Sequence, residues 1–379
     1  MSETVRESIT TFSCPGCGGR PVWDPGSGQM KCPFCGTMSA IAQDRTTPAE
    51  YDLNSAPDAR AQNWGEAKYV VSCKACGAQT ILGKDESASL CPFCGSPHVL
   101  DDQSAAGIAP ESILPFRVTQ DNAVGSFRQW LRGKFFAPGK AKKMAALGQI
   151  SGVYLPHWTY DSDTVSQYTG QEGHHYYVDV PVVVERDGKR VTEMRKEQRT
   201  RWEPTSGTVA KQFDDLVVAG SERLPEGLLS RVQPYDLKQL CRYQPGFLAG
   251  FSAEKPAVDV QTGWKKAQAR IEQTMQSLAF SDILTRADEA RVTSVTSRHN
   301  RVRYKLTLLP MYLSSFTYKG AQYHVLVNGQ TGKCGGEAPV SALRVILVVL
   351  IVAALIAGMM YLMSSGEMPV QMPVQVMTP

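Results

Sequence analysis

The sequence contains none of the short motifs with which enzymes commonly bind phosphate or activate a nucleophile. It has no G-x-x-x-x-G-K-[ST] loop, no G-x-G-x-x-G, no H-E-x-x-H and no G-x-S-x-G. The stretch GQTGKC at 329–334 is too short for a phosphate-binding loop. His174 and His175 would point to opposite faces of a strand and so would not share a metal ion. We therefore expect a protein that is not an enzyme.

The sequence also lacks a strong charge of either sign and an apolar segment at its start. Its formal net charge is +4 over 379 residues, which is too small to indicate a polyanionic partner. The first residues, MSETVRESITTF, do not contain the apolar core of a signal peptide. We therefore expect the cysteines to lie in a reducing compartment, where disulfides are rare. The composition, 42% hydrophobic and 20% charged, is that of a globular chain with room for two or three units.

Eight of the ten cysteines form a duplicated pattern. The letters CPFCG occur at 32–36 and again at 91–95, and each copy follows another C-x-x-C pair. In both units fourteen residues separate the two pairs, so each unit offers four thiols. These cysteines are Cys14, Cys17, Cys32 and Cys35 in the first unit and Cys73, Cys76, Cys91 and Cys94 in the second. A glycine follows each pair, as a sharp backbone turn beside the sulfurs requires, and Phe34 and Phe93 are expected on the same face of each copy.

Two facing cysteine pairs make a tetrahedral cage of four sulfurs, which suits zinc. A single C-x-x-C could instead be a redox pair or a disulfide, and four thiols could hold iron as in rubredoxin, but two tandem quartets favour zinc. The sequence therefore predicts two zinc ribbons, at 11–44 and 71–102, each with one structural zinc ion. Four protein ligands leave no open position for a catalytic water. A unit of about forty residues has too small a core to fold alone, so the metal is expected to supply folding energy.

An apolar run near the C-terminus is the second strong feature. Residues 345–363, VILVVLIVAALIAGMMYLM, are nineteen residues without a charge. As a helix they would extend about 28 Å, close to the hydrocarbon thickness of a bilayer. A buried core helix is the alternative, but such helices are rarely apolar on every face over this length.

Charges on the two sides of this run predict its orientation. Lys333 and Arg344 precede it, whereas the tail at 364–379 has Glu367 as its only charged side chain. Positive charge on the N-terminal side predicts that most of the chain lies in the cytoplasm and that the short tail does not. We expect a single-pass protein of the cytoplasmic membrane.

Between these features, 45–70 is predicted to be a linker and 113–339 an α+β body. Apolar residues at helical spacing predict helices at 122–136 and 257–280, the first of them ended by the letters APG. Aromatic and β-branched residues predict strands at 153–161, 174–185, 189–203, 290–298, 301–320 and 321–332. Runs of strands with few helices, rather than regular alternation, indicate the α+β class.

One segment of the body, 117–143, has a net charge of +6. The residues with which it could contact lipid or another polyanion are Arg128, Arg132, Lys134, Lys140, Lys142 and Lys143. A basic face that is merely solvated is the alternative. Between anionic lipid headgroups and a nucleic-acid backbone, lipid is favoured, because the predicted anchor already holds this domain at the inner leaflet.

The charge of the two cysteine units bears on a nucleic-acid partner. Segment 11–44 has no net charge and segment 71–102 has −2, and four thiolates on one zinc ion add a further −2 to each. A surface that binds phosphates should be basic. These units are therefore better suited to docking another protein or to packing against the body.

Several longer motifs resemble a bacterial family of membrane-anchored double zinc-ribbon proteins. Beside the doubled ribbon and the C-terminal span, they are LPF at 114–116, KFFAPGK at 134–140, GVYLPHWTYD at 152–161, YTGQEG at 168–173 and VLVNGQTGKCGGE at 325–337. The resemblance covers most of the chain after residue 70. Family members often carry a primosomal-helicase name because of their cysteines, but without an ATP-binding motif no helicase activity is expected here. Some are encoded beside flotillin-like (SPFH) and phage-shock-type membrane proteins, which implies a role in recruiting such scaffolds to the cytoplasmic membrane.

These observations give two expectations for function. The first is a non-enzymatic, membrane-anchored zinc-ribbon adaptor that docks protein partners, SPFH-like scaffolds among them, at the cytoplasmic membrane. The alternative is a membrane-tethered zinc-ribbon protein that binds nucleic acid in replication or transcription, without helicase activity. The sequence leaves the identity of the partner and the oligomeric state open.

Overall fold

The chain folds into a sheet-rich α+β structure with one long apolar helix at its C-terminal end. The computed structural model describes residues 13–41, 48–55, 68–83, 91–96, 103–104, 108–147, 150–186 and 189–364. The strands of this part are β1 (Val22–Asp24), β2 (Gln29–Lys31), β3 (Met38–Ser39), β4 (Tyr51–Asp52), β5 (Lys68–Ser72), β6 (Gln79–Gly83), β7 (Gln103–Ser104), β8 (Ser112–Ile113), β9 (Ser151–Arg186), β10 (Lys189–Ala219), β11 (Cys241–Arg242), β12 (Ser252–Glu254), β13 (Glu289–Tyr318), β14 (Ala321–Asn328) and β15 (Cys334–Gly336). Its α-helices are α1 (Gln120–Arg132), α2 (Gly139–Leu147), α3 (Glu226–Leu229), α4 (Val260–Leu284) and α5 (Ala342–Ser364).

Three very long antiparallel strands form the frame of the body. β9, with 36 residues, is central, and it pairs with β10 on one side and β13 on the other. Strands of globular proteins usually have 3–10 residues. β13 pairs with β9 only up to Glu289 opposite Gly173, so beyond that point no further strand of the described residues pairs with β9 and β10. We call residues 174–186 and 189–201 the projecting ribbon.

Helix α4 covers one face of this frame. Asp259 caps its first turn by accepting the backbone N–H of Thr262 at 2.9 Å. Its side chains at successive four-residue steps are fully buried, as an apolar stripe facing a sheet requires; they are Ala267, Ile271, Met275, Ala279 and Ile283.

Aromatic side chains at alternate positions of β9 fix α4 against the sheet. The Trp158 indole N–H donates to the Val258 carbonyl at 2.8 Å, and the Tyr160 hydroxyl donates to the Val260 carbonyl at 2.7 Å. Further along the strand, the Tyr168 hydroxyl donates to the carboxylate of Asp282. These three side chains lie on one face of β9, because alternate residues of a strand share a face. They hold both ends of the helix.

The sequence pattern divides β9 into two predicted strands, at 153–161 and 174–185, whereas the structure has one continuous strand. The interruption in the pattern is YTGQEG at 168–173, whose glycines resemble a loop. Gly170 is required by the close approach of a neighbouring backbone, because a Cβ there would lie 2.3 Å from the carbonyl oxygen of Arg291. A Cβ on Gly173 would meet the side chains of Thr200 and Trp202. The strands predicted at 290–298 and 301–320 are likewise one strand, β13.

The helix predicted at 122–136 is shorter than expected. α1 ends at Arg132, with Gly133 as its C-cap, so Phe135 lies outside the helix although its spacing fits the apolar stripe. A second helix, α2, begins immediately after Pro138, where the sequence predicts only a stop. Gly133 ends the first helix, and Pro138 is compatible with the start of the second.

The two cysteine units join the body in different ways. β1, β2 and β3 of the first unit form a separate three-stranded sheet. In the second unit β5 pairs with β6, and β6 pairs with β12, which runs parallel to β9. The second unit therefore extends the main sheet.

The predicted linker at 45–70 contributes to the sheet as well. Its β4 pairs with β13, with Tyr51 opposite Tyr304. Residues 42–47 and 56–67 lie outside the described residues, as do 11–12 and 97–102 of the cysteine units and 365–379 of the predicted tail.

The C-terminal helix α5 is long and apolar enough to cross a membrane. Its window Ala342–Tyr361 has 20 residues, a mean hydropathy of 2.8, and none of it is buried in the molecule. A core helix of a water-soluble protein would be largely buried, so this exposure distinguishes α5 from the alternative of a buried helix.

β12 carries a buried carboxyl group at the junction between the second unit and the body. Glu254 is only 2% exposed, and its Oε1 accepts a hydrogen bond from the Ser221 hydroxyl at 2.8 Å. Burial raises the pKa of Glu254 to about 7, against the opposing effect of Ser221 and Arg223. A carboxyl whose pKa is higher in the folded state contributes its full stabilisation at pH values below its unfolded pKa. For Glu254 that contribution to the free energy of unfolding is lost as the pH rises through about 7.

We predict that Glu254→Gln removes this pH dependence, because glutamine keeps a partner for Ser221 and does not ionise. Between pH 5 and pH 8 the free energy of unfolding of the variant should rise relative to the wild type by about 2–3 kcal/mol. Denaturant unfolding of the full chain in detergent at both pH values measures this. Glu272→Gln, on the exposed face of α4, is the matched control. Its free energy of unfolding should change with pH as that of the wild type does. A Glu254→Gln variant that also follows the wild type would contradict the prediction.

Candidate metal centres

The structure brings the eight predicted cysteines into two groups of four sulfur atoms. Within each group the ligand atoms all lie within 4.8 Å of one another. The sulfur–sulfur distances are 3.4 Å for Cys14–Cys35, 3.5 Å for Cys17–Cys32, 3.5 Å for Cys73–Cys94 and 3.7 Å for Cys76–Cys91. Thiolates about 2.3 Å from a central tetrahedral ion lie about 3.8 Å apart, whereas disulfide sulfurs are about 2.05 Å apart. Each group therefore has the geometry to hold one metal ion.

All four C-x-x-C pairs have the same backbone turn. The first cysteine's carbonyl accepts the N–H of the glycine that follows the second cysteine. The four bonds are Gly18 to Cys14 at 2.8 Å, Gly36 to Cys32 at 2.9 Å, Gly77 to Cys73 at 2.6 Å and Gly95 to Cys91 at 2.8 Å. All four glycines have φ of 70–75°, which is strained for any residue with a Cβ. The sequence prediction that these glycines permit the turn is confirmed.

A hydroxyl group lies beside the thiols of each unit. Thr37 Oγ1 is 3.1 Å from Cys35 Sγ, and Ser96 Oγ is 3.1 Å from Cys73 Sγ. The Thr37 hydroxyl lowers the pKa of Cys35 to about 6. Burial acts to raise the pKa of Cys73, but Ser96 and backbone amides lower it to about 6. Both hydroxyls thus favour the thiolate, which is the form that binds metal.

A sequence signal marks these two hydroxyl residues. The copies read CPFCGT and CPFCGS, so a hydroxyl residue follows the glycine in both. The duplication therefore extends one position beyond the shared five letters.

The first unit docks on the body through its hairpin and leaves the second cysteine of each pair in solvent. The Trp23 indole N–H donates to the Phe116 carbonyl at 2.9 Å, and its ring meets Phe247 edge-on at 4.9 Å between centroids. Cys17 and Cys35 are exposed. Phe34, between the cysteines of the second pair, is 79% exposed.

The second unit docks through the cysteine turns themselves. Cys73, Cys91 and Phe93 belong to a buried apolar cluster with Leu224 and Leu228 of the body. Arg223 holds one turn from outside, because its guanidinium donates to the carbonyls of Cys76 and Gly77, both at 2.6 Å; no sequence pattern marks this residue.

The two equivalent phenylalanines therefore have opposite environments. Phe93 is 3% exposed, whereas Phe34 is 79% exposed. Equivalent positions in the repeat have the same backbone turn, but the body buries the phenylalanine of the second copy only. The surroundings of a repeated side chain depend on tertiary contacts that the repeat does not encode.

The remaining cysteines lie apart from both groups. Cys241 Sγ is 3.4 Å from the Ile113 carbonyl, and burial raises the pKa of Cys241 to about 11. Burial also raises the pKa of Cys334, to about 12. Neither residue completes a metal site.

Two further clusters of acidic residues, one of them with a histidine, are close enough together to hold a metal ion, but basic side chains already form ion pairs with them. Glu172, His174 and Glu203 form one of them, and Arg286 Nε lies 3.1 Å from Glu172. In the other, formed by Glu50, Asp161 and Asp215, Lys305 Nζ lies 2.9 Å from Glu50 and 2.7 Å from Asp215. Both are therefore ion-pair networks of the long sheet. His174 and His175 do not meet: His175 pairs with Glu289 at 2.8 Å on the other face.

The six basic residues that we predicted to contact a polyanion lie around the end of α1 and the start of α2. Four of them are exposed: Arg128, Arg132, Lys140 and Lys143. Lys134 is half-buried with its ammonium 4.5 Å from the centre of the Trp130 ring, and Lys142 donates to the Arg132 carbonyl at 3.3 Å. None of the six forms an ion pair with a carboxylate of the described residues.

The projecting ribbon exposes apolar side chains on both of its faces. Tyr177, Val183 and Met194 are each more than 60% exposed, and the register places them on the same face. Asp179 and Lys196 lie on that face too. The other face has Tyr176 and Val191, which are less exposed, and four half-buried valines, Val178, Val180, Val182 and Val184. At its base the ribbon is fixed to β13, where Arg291 stacks on the Trp202 ring at 3.8 Å.

The chain is similar to one curated protein, named Uncharacterized protein YdjG, of Bacillus subtilis (strain 168). The two are 26% identical over 340 residues, which cover 88% of this chain and 91% of that protein. No family model matches the chain. No solved structure matches it either.

The two phenylalanines allow a matched test of how the units dock. We predict that Phe93→Ala lowers the free energy of unfolding by about 3–5 kcal/mol, because it empties a buried site. Phe34→Ala, at the equivalent exposed position, should change it by less than about 0.5 kcal/mol. Denaturant unfolding of both full-length variants in detergent measures the difference, and equal losses would refute the asymmetric docking.

Proposed function

We propose that this protein is a membrane-anchored adaptor without enzymatic activity. Two structural zinc ions complete its cysteine units, α5 anchors it in the cytoplasmic membrane, and the body lies in the cytoplasm. The projecting ribbon binds a protein partner. The observation that carries the proposal is the ribbon, a two-stranded element with exposed Tyr177, Val183 and Met194 on a body that ends in an apolar helix.

Zinc is the metal that best suits four thiolates in a closed tetrahedral site in a reducing compartment. A structural zinc ion of this kind contributes about 10–16 kcal/mol to the folding of small units. Its role here would be to hold β5 and β6 of the second unit in the main sheet and to form the cysteine turns of the first. With four protein ligands at each ion, the sites supply structure and no catalytic water.

We predict two equivalents of zinc per chain by elemental analysis of protein purified without added metal. Cys14→Ser and Cys73→Ser should each lower the content to about one equivalent, because each removes one ligand of one site. The double variant should hold none. A different metal in the wild type would overturn the zinc assignment, and an unchanged content in both variants would overturn the sites.

The ribbon is suited to partner binding for an energetic reason. Two strands without a third are marginally stable in water, and exposed apolar patches on such elements commonly mark protein contacts. The strand register places the ribbon and α5 at opposite ends of the frame: α5 follows β15, which pairs through β14 with the Met311–Tyr318 end of β13. With α5 in the membrane, the ribbon is therefore at the end of the frame away from the anchor.

The class of partner is proposed from the family resemblance. Flotillin-like (SPFH) scaffolds assemble at membranes, and an adaptor held in the bilayer by one helix would recruit them through a cytoplasmic surface. The alternative of a nucleic-acid partner finds less support, because the ribbon face has apolar residues and the two cysteine units are not basic.

The ribbon allows a direct test with a matched control. We predict that Tyr177→Ser, Val183→Thr and Met194→Thr, combined in one chain, abolish recovery of the partner in a crosslinking pull-down from native membranes. The combination Tyr176→Ser and Val191→Thr on the other face should retain most of it. If both variant chains recover the partner equally, the face with Tyr177, Val183 and Met194 is not the docking site. If the wild type recovers no reproducible partner, the proposal of an adaptor is wrong.

A further inference from the structure

The loop between α1 and α2 lies against the first residues of the apolar helix. The Arg344 guanidinium donates to the carbonyls of Phe135 and Ala137, at 2.6 and 2.8 Å. The backbone N–H of Ser341 donates to the Phe136 carbonyl at 2.9 Å. Ser341 and Arg344, at the start of α5, thus bind three carbonyls of this loop. These bonds fix the loop beside the first turn of α5.

Two phenylalanine rings of this loop face outward. Phe135 is 65% exposed and Phe136 is 40% exposed, and the rings meet edge-on at 5.3 Å between centroids. Leu343, in the first turn of α5, is 80% exposed. An apolar surface therefore continues from the helix onto the loop, which is what a protein presents where it meets the boundary of a bilayer.

Positive side chains flank these rings in the sequence. Arg132, Lys140 and Lys143 are exposed, and no carboxylate of the described residues pairs with them. Lys134, next to Phe135, lies over the face of Trp130. Aromatic rings with flanking lysine and arginine are typical of segments that sit at the headgroup level of anionic membranes.

We propose that this loop is a second membrane contact, in which Phe135 and Phe136 enter the interface of the leaflet at the base of α5. Arg132, Lys140 and Lys143 bind the phosphate groups of anionic phospholipids there. The inference rests on the proposed anchorage by α5. The loop holds the body at a fixed angle to the bilayer, since a single helix leaves the body free to rotate and tilt.

Photo-crosslinking of the full chain in lipid nanodiscs tests this contact. Phe135→p-benzoylphenylalanine is compared with Phe34→p-benzoylphenylalanine, a phenylalanine of similar exposure on the first cysteine unit. The nanodiscs contain phosphatidylcholine alone or a mixture with phosphatidylglycerol, and mass spectrometry detects the lipid adducts. We expect adducts at position 135, enriched in phosphatidylglycerol, and none at position 34.

The charged residues are tested in the same nanodiscs. Loss of one positive charge at an anionic surface lowers binding about fivefold, so Lys140→Gln with Lys143→Gln should lower the phosphatidylglycerol enrichment at least about fivefold. Unchanged enrichment would overturn the headgroup contact. A chain that enters the nanodiscs without an adduct at position 135 would overturn the loop contact and leave the anchor in place. A chain that does not enter them would refute the anchor and the inference together.

Discussion

The sulfur atoms of the second cysteine unit are part of the core of the body, and the rest of the structure depends on how they are held. Cys73 and Cys91 are buried with Phe93 among leucines that follow β10. The same unit supplies β6, which pairs with β12, and β12 pairs with the start of β9. Four thiols packed so closely repel one another once ionised, and a bound cation removes that cost. The proposed zinc ion would therefore stabilise the long sheet as well as its own unit.

The long sheet separates two ends of the molecule with different surfaces. At one end α5 begins beside an aromatic and basic loop, and at the other the projecting ribbon exposes apolar side chains. β9 alone, with 36 residues, extends on the order of 100 Å along this direction. Helix α4 lies against the sheet between the two ends, where Trp158 and Tyr160 hold its N-terminal end and Tyr168 holds its C-terminal end. This arrangement suits a protein that presents a docking surface at a fixed distance from a bilayer.

The features predicted well from the sequence are those that local chemistry determines. The spacing of the cysteines and glycines predicts four turns of one kind, and the structure has them. The apolar run predicts one exposed helix, α5, and the four-residue spacing of Ile271 and Met275 predicts α4. The features predicted poorly depend on contacts between distant residues. YTGQEG resembles a loop because of two glycines that are needed where β10 and β13 crowd β9. Phe34 and Phe93 are equal in the repeat, although only one of them is covered.

The most direct test of this account is hydrogen exchange on the full chain before and after a chelator removes the metal. If the second metal centre is part of the core, the amides of β6, β12 and the first residues of β9 will lose protection when the metal leaves, while the centre of α4 stays protected. If verified metal-free protein exchanges as slowly at Val153 and Ala253 as the metal-bound protein does, the cysteine centre does not support the sheet and the account is wrong.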